Sequence, residues 1–311
     1  GFLVSRAMDP EDVYEMTTVL QDEAQVPLFF AADYDRGVGR FSNNLTEWPS
    51  NMGLGATRDP LYAAAAGRLT AIEGRAVGVN MVLAPVVDVN NNPENPIINI
   101  RSYGEDPRLV GVMAKRFVSE AQRLGLLTTL KHFPGHGNSE VDSHSRMGMI
   151  YGDRTSLNEI ELYPYRVVLN EPVQPTAVMS AHLWTPTFDA EPLPATFSRN
   201  VLNDLLRDTL QFNGLIVTDD VKMGALQNDY SLEERIINPL LAGADIVLTP
   251  RDLNRSIRAV REAVEEGTVS MEALDRSVYR ILITKATFGL HNRRNVDESV
   301  LQFLLEEPRG E

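Results

Sequence analysis

The chain has no cysteine among its 311 residues and only five histidines. Without thiols there is no disulfide framework, no cysteine nucleophile and no thiolate metal site, while the redox compartment stays open. Basic side chains are also scarce: 29 Lys and Arg stand against 43 Asp and Glu, a net charge of −14 with the acids spread along the chain. A field of that sign disfavours nucleic acid and anionic membranes as partners. No apolar run approaches the roughly 18 residues needed to cross a bilayer, so no membrane span is expected. Aromatic residues make up 7%, yet a hydrophobic content of 43% is enough to bury a substantial core. No Pro/Ser linker or composition shift marks a second domain, and no repeat is visible beyond the alternation described next.

Short apolar runs alternate with amphipathic stretches. Strands are expected at about 1–4, 27–32, 79–87, 124–130, 176–181, 214–218 and 245–249. Helices are expected at about 9–24, 59–77, 108–123, 155–170, 199–210, 232–241, 252–266 and 270–287. Asp9-Pro10 has the form of a helix start, with a cap followed by a first-turn proline. Strand, helix, strand in this order predicts a parallel sheet closed as a (β/α)8, TIM-like barrel in a single domain, residues 1–290. Seven strands are placed and the eighth is irregular or missing. Residues 291–311 read as a charged tail packed on the barrel or extending from it.

The most informative segment is KHFPGHGNSEVDSH, from Lys131 to His144, which holds three of the five histidines. The run before it suits a buried strand that ends just before Lys131 and His132. Pro134, Gly135 and Gly137 then enforce a loop beyond that strand's C-terminal end, where parallel α/β folds bind ligands. Asp142 and His144 are two residues apart, close enough for the carboxylate to hold one imidazole nitrogen and leave the other free for proton transfer. Two other readings of the loop stay open. One is a solvated loop held by local side-chain bonds. The other is a metal site drawn from His132, His136, Asp142 and His144, although no HExxH pattern is present and Lys131 would place a cation beside the metal.

Charge recurs at strand ends. Asp33, Arg101, Lys131 with His132, His182, and Asp219 with Asp220 all fall just beyond expected strands, and in a barrel these ends converge on one mouth. Asp219 ends the apolar run GLIVTDD, where a charge is costly unless paired or used. Its alternative roles are capping the next helix, more natural for Asp220, or pairing with Lys131 or Arg101. A carboxylate to attack, a proton donor and several charged groups to hold hydroxyls fit cleavage of a glycosidic bond, with the donor a histidine instead of a second carboxylate.

KHFPGHG with DSH, IRSYGEDP, GLIVTDDVKMGA and LPATFS together resemble the catalytic barrel of glycoside hydrolase family 3, in the branch of bacterial exo-β-N-acetylglucosaminidases. The resemblance runs from Gly1 to about Leu290. It implies Asp219 as nucleophile, Asp142 and His144 as acid/base dyad, and Asp33, Arg101, Lys131 and His132 as groups binding sugar hydroxyls. His136, His182, Asp220 and Met223 are secondary candidates. Where relatives read DQEGGRVQRF, this chain reads DYDRGVGRF, one residue shorter, which leaves the alignment beyond Asp33 open and makes Asp35 a candidate to share its role. The sandwich domain of many family 3 β-glucosidases is not in this sequence, as in the single-barrel branch or an excised domain. The implied activity is retaining removal of terminal GlcNAc from muropeptides or chitooligosaccharides, with no cofactor and no metal. A β-glucosidase, a phosphorylase and a non-catalytic sugar-binding barrel are the competing readings. Peptidoglycan recycling in the cytoplasm is the implied setting. A periplasmic or secreted enzyme is the alternative, because GFLVSRA opens the chain abruptly.

Overall fold

A computed structural model describes residues 1–4, 8–292 and 296–306. Six parallel strands, Phe2–Val4, Phe30–Ala32, Met81–Val82, Leu127–Phe133, Ala177–Ser180 and Leu215–Thr218, pair each with the next in sequence order. The helices between them include Pro10–Glu23, Pro60–Ala76, Pro107–Arg123 and Leu232–Ala242. This is the TIM-like architecture expected, open on one side.

The strands' two faces have different partners, as their two-residue period requires. Ala32, Val82, Leu130, Val178 and Ile216 face outward into the core shared with the helices. Ala31, Met81, Leu127, Ala177, Met179 and Val217 form a second cluster on the inner side, with Ile281, Phe288 and Leu290 of the C-terminal segment packed against it. The helix Met271–Thr287 is tied there electrostatically. The buried Asp245 carboxylate takes Arg207 Nη2 at 2.6 Å and Arg280 Nη1 at 3.0 Å, and its Oδ2 also accepts the Ile216 backbone N–H at 2.9 Å.

That arrangement displaces the strand expected at 245–249. Residues 245–249 do not form a strand; only an isolated bridge joins Ile246 to Val217. The Asp245 side chain takes the ladder donor of Ile216, and the Leu248 N–H donates to the Thr218 hydroxyl at 2.9 Å instead of to a backbone carbonyl. Among the described residues no eighth strand closes the sheet. The expected 79–87 strand shrinks to Met81–Val82, because Pro85 has no N–H to donate and Val86 keeps only a bridge to Lys131. The expected 155–170 helix is two helices, Arg154–Glu159 and Tyr163–Leu169, the second starting with Pro164 in its first turn. Residues 199–210 are helical as Asn200–Thr209, but in the wider π form. A two-residue ribbon, Gly148–Met149 with Leu183–Trp184, was not expected.

Asp59 and Asp106 accept hydrogen bonds from Leu61 N and Arg108 N at the starts of their helices, whereas Asp9 makes no such bond. Within the tail, Glu298–Glu306 is helical and buries Leu301 in the outer core, and Tyr14 donates from its hydroxyl to the Val296 carbonyl at 2.9 Å. The rest of that tail, 293–295 and 307–311, lies outside the described residues. No helix among the described residues is long and apolar enough to cross a membrane.

Candidate active site

At the C-terminal ends of the strands lies a cavity of about 440 Å³. Asp33, Arg101, Lys131, His132, His144 and Asp219 all line it, and so do Asp35, Asp220 and Met223. The convergence read from strand ends is therefore present in space.

Lys131 and His132 sit inside the strand Leu127–Phe133, not beyond it as expected. Consecutive strand residues normally face opposite sides. Here the register shifts between Leu130 and Phe133, and this irregularity lets both side chains reach the cavity. Lys131, 2% exposed, forms a close ion pair with Asp33 Oδ1. Arg101 Nε lies 3.3 Å from Asp35 Oδ2. The two acids after the second strand thus divide the work, one per cation, and both are present in the mouth.

His132 is held from behind by Asp88, which the sequence reading did not single out. Asp88 Oδ2 is 2.7 Å from His132 Nδ1, and its Oδ1 accepts the His136 backbone N–H at 2.7 Å and the His132 N–H at 3.2 Å. An ionised carboxylate can only accept, so Nδ1 carries a proton and Nε2 is the atom left for the cavity. Asp88 follows VLAPVV directly, so the strand-end rule that marked Asp33 and Asp219 also applies to it.

Asp219 stands on the last sheet strand's end. Its Oδ1 accepts the Asp220 N–H at 2.8 Å, and Oδ2 makes no hydrogen bond among the described residues. Burial alone would raise its pKa. The opposing effects of His132, the Asp220 amide and Lys131 are larger and hold it below the ordinary carboxylate range. Asp220 is engaged locally: its Oδ1 accepts the Lys222 N–H at 2.8 Å and the Thr249 hydroxyl.

Asp142 Oδ1 lies 2.8 Å from His144 Nδ1 and accepts the His144 backbone N–H at 2.8 Å. Burial pushes the Asp142 carboxyl up, but these two bonds outweigh it and keep the group ionised well into acid. The proton between them therefore sits on Nδ1, and Nε2 of the exposed imidazole is free for exchange. Asp142 itself does not line the cavity.

His136 and His182 do not line the cavity. His136, 2% exposed, bonds through Nε2 to the Ser143 hydroxyl at 2.9 Å, and burial lowers its pKa to about 4, so it is neutral. His182, fully buried, bonds to the Thr196 hydroxyl at 2.8 Å and donates from Nε2 to the Asp220 carbonyl at 3.1 Å. Both support the backbone that carries other site residues. No group of three or more His, Asp or Glu among the described residues is arranged to hold a metal ion.

A pH effect on stability follows from Asp33, Asp88 and Asp219. For each, burial raises the pKa and neighbouring cations or hydrogen-bond donors lower it by more, so the folded value is below the unfolded one of about 4. Such groups contribute stability in full above the unfolded value and lose it as pH falls through the folded values. The melting temperature is expected to stay level near neutrality and drop steeply below about pH 4. A thermal-denaturation series from pH 7 to pH 3 checks this, and a flat profile would contradict it.

The fold and the site together define a parallel β/α barrel with an acidic, histidine-bearing mouth. The family model described as the glycosyl hydrolase family 3 N terminal domain matches residues 5–284, and the chain belongs to that family. Among curated relatives, a "Beta-N-acetylglucosaminidase/beta-glucosidase" from Cellulomonas fimi is 32% identical over 99% of this chain and 56% of its own length. "Beta-hexosaminidase A" from Pseudoalteromonas piscicida is 33% identical over 84% of this chain and 48% of its own. The chain spans about half the length of these relatives. Among solved structures, a family 3 β-N-acetylglucosaminidase from Paenibacillus sp. str. FPU-7 matches with a TM-score of 0.90 and 35% identity, over 97% of this chain and 61% of that one. A "Beta-glucoside phosphorylase BglX" bound to 2FGlc also matches with a TM-score of 0.90, at 31% identity, over 96% of this chain and 55% of that one.

Proposed function

We propose that this chain is a retaining exo-β-N-acetylglucosaminidase acting on GlcNAc-containing oligosaccharides or muropeptides. The observation that carries the proposal is that a half-buried, ionised carboxylate whose Oδ2 has no hydrogen bond among the described residues, Asp219, and an Asp142-oriented imidazole, His144, line one cavity. In the first step Asp219 Oδ2 attacks the anomeric carbon as the bond to the departing oxygen breaks, and the proton on His144 Nε2 passes to that oxygen. In the second, His144 Nε2 takes a proton from water while the water oxygen attacks the same carbon and Asp219 is released. Lys131 with Asp33, Arg101 with Asp35, and His132 hold the sugar hydroxyls. The glycines and proline of the loop that carries the dyad suit closure over bound sugar; a loop in the same position in sugar-free and sugar-bound crystals would contradict this.

An acetamido substrate is supported by the relatives' names, one of which also names a β-glucosidase. A second reading, transfer to phosphate, is favoured by the phosphorylase neighbour and by an acid/base that carries no negative charge of its own to repel an anionic acceptor. Nitrophenyl β-N-acetylglucosaminide and β-glucoside in parallel, each with and without phosphate, distinguish these readings. Cleavage of the acetamido substrate at a rate independent of phosphate is expected. Release of sugar 1-phosphate would establish the second reading, and no turnover on either substrate would favour a binding protein.

A further inference from the structure

The dyad is exposed, and no apolar packing holds it: the side chains of His144 and Asp142 are 58% and 39% accessible. What seats it is the segment that follows the nucleophile. Gly224 opens the short helix Gly224–Gln227, and helix starts carry backbone N–H groups with no partner inside the helix. Two of these are used on the dyad loop. Gly224 N–H donates to the His144 carbonyl at 2.9 Å and Ala225 N–H to the Ser143 carbonyl at 3.2 Å. Asn228 Nδ2 adds a third bond, to the Ser145 carbonyl at 2.9 Å. The approach is close enough that a Cβ on Gly224 would stand 2.3 Å from the Ser145 carbonyl oxygen and 2.7 Å from that of His144, both backbone atoms. Only glycine fits there without the loop moving.

The loop is also attached at its base and through one bond to Ser143. Asn95 Nδ2 donates to the carbonyls of His136, Gly137 and Ser139, and Gly137 lies against Val89, where a Cβ would meet the carbonyl oxygen at 1.7 Å. His136 reaches forward to Ser143. A fixed base and a tip hung on the nucleophile's own segment make the position of His144 depend on Gly224 and Asn228.

We infer that Gly224 and Asn228 are positioning residues that seat the Asp142–His144 dyad against the strand end carrying Asp219. The inference rests on the proposed role of His144 as proton donor. Neither residue lines the cavity, so neither is required to touch substrate.

A residue that acts through the proton donor affects only reactions that need a proton. The experiment therefore compares kcat/KM for two β-N-acetylglucosaminides, one with an alkyl leaving group and one with a dinitrophenyl group that departs without protonation, in wild type, Gly224→Ala, Asn228→Ala and His144→Ala. His144→Ala is expected to lose about 10²-fold or more on the alkyl substrate and little on the dinitrophenyl one. Gly224→Ala and Asn228→Ala are expected to show the same asymmetry, about tenfold or more and a few fold respectively, with less than about twofold on the activated substrate. Asn228→Ala guards against misfolding of the glycine variant, since it deletes one surface hydrogen bond and introduces no clash. Equal losses on both substrates, or none on either, overturn the inference while leaving His144 in place. If His144→Ala itself shows no asymmetry, it is the proposed donor that fails.

Discussion

Asp219→Ala is expected to remove essentially all turnover, a fall in kcat of about 10⁴-fold or more, while leaving sugar binding largely intact. The size of the effect follows from the step that is lost. Without Oδ2 there is no covalent intermediate, and neighbouring Asp220 is a poor substitute because its Oδ1 is committed to Lys222 N–H and to Thr249 and its Oδ2 faces the Lys222 ammonium at 3.7 Å. Binding survives because the hydroxyl-holding pairs Lys131 with Asp33 and Arg101 with Asp35 are independent of Asp219. Two measurements check this. Calorimetric titration with GlcNAc should give a Kd for the variant close to wild type. A 2-fluoro glycoside should label the wild type on the peptide containing Asp219. Asp219→Asn keeps the volume and serves as the folding control. Residual turnover within about 100-fold of wild type would show that another group attacks.

The parts of this site that were legible in the sequence are those whose chemistry is local. Asp219 closes an apolar strand, and the Asp142–His144 bond spans two residues, so type and spacing alone bring the partners together. The strands were legible as apolar runs, but their ends were not, because ends are set by competing hydrogen bonds. Leu248 N–H goes to a Thr218 side chain, and Pro85 brings no donor, and neither loss shows in an apolar pattern. The seat of the dyad was hidden for another reason: Asn228 reaches the Ser145 carbonyl across 83 residues. His182 obeys the strand-end rule and still turns away from the cavity, because Thr196 and the Asp220 carbonyl capture both ring nitrogens. Position at a strand end therefore marks candidates, and the hydrogen-bond partners decide which way each one points.

Asp88 shows the same limit with the larger consequence. Its partners are 44 and 48 residues away, and it joins the third sheet strand's exit to both the binding histidine and the base of the dyad loop. Burial opposes its charge, yet contacts with His132 and His136 lower its pKa below the ordinary range, so the carboxylate is ionised in the folded protein and holds three donors at once. Asp88→Ala would leave His132 Nδ1–H and two backbone N–H groups buried and unpaired, at about 1–3 kcal/mol each. A loss of about 3–5 kcal/mol is expected, a large share of a typical domain's stability. Urea denaturation measures it, and a loss under about 1 kcal/mol would show that water replaces the carboxylate. Asp88→Asn separates stability from chemistry. The amide keeps the volume and one acceptor but cannot accept from the histidine ring and both backbone amides together, so His132 is freed to change tautomer and Nε2 no longer presents a fixed face to the sugar. The asparagine variant is therefore expected to fold and to bind sugar more weakly. In a double-mutant cycle with His132→Ala the two losses should overlap strongly, because Asp88 acts on the sugar through His132. Additive losses would mean that Asp88 serves the loop through His136 alone, with the binding histidine oriented by the strand.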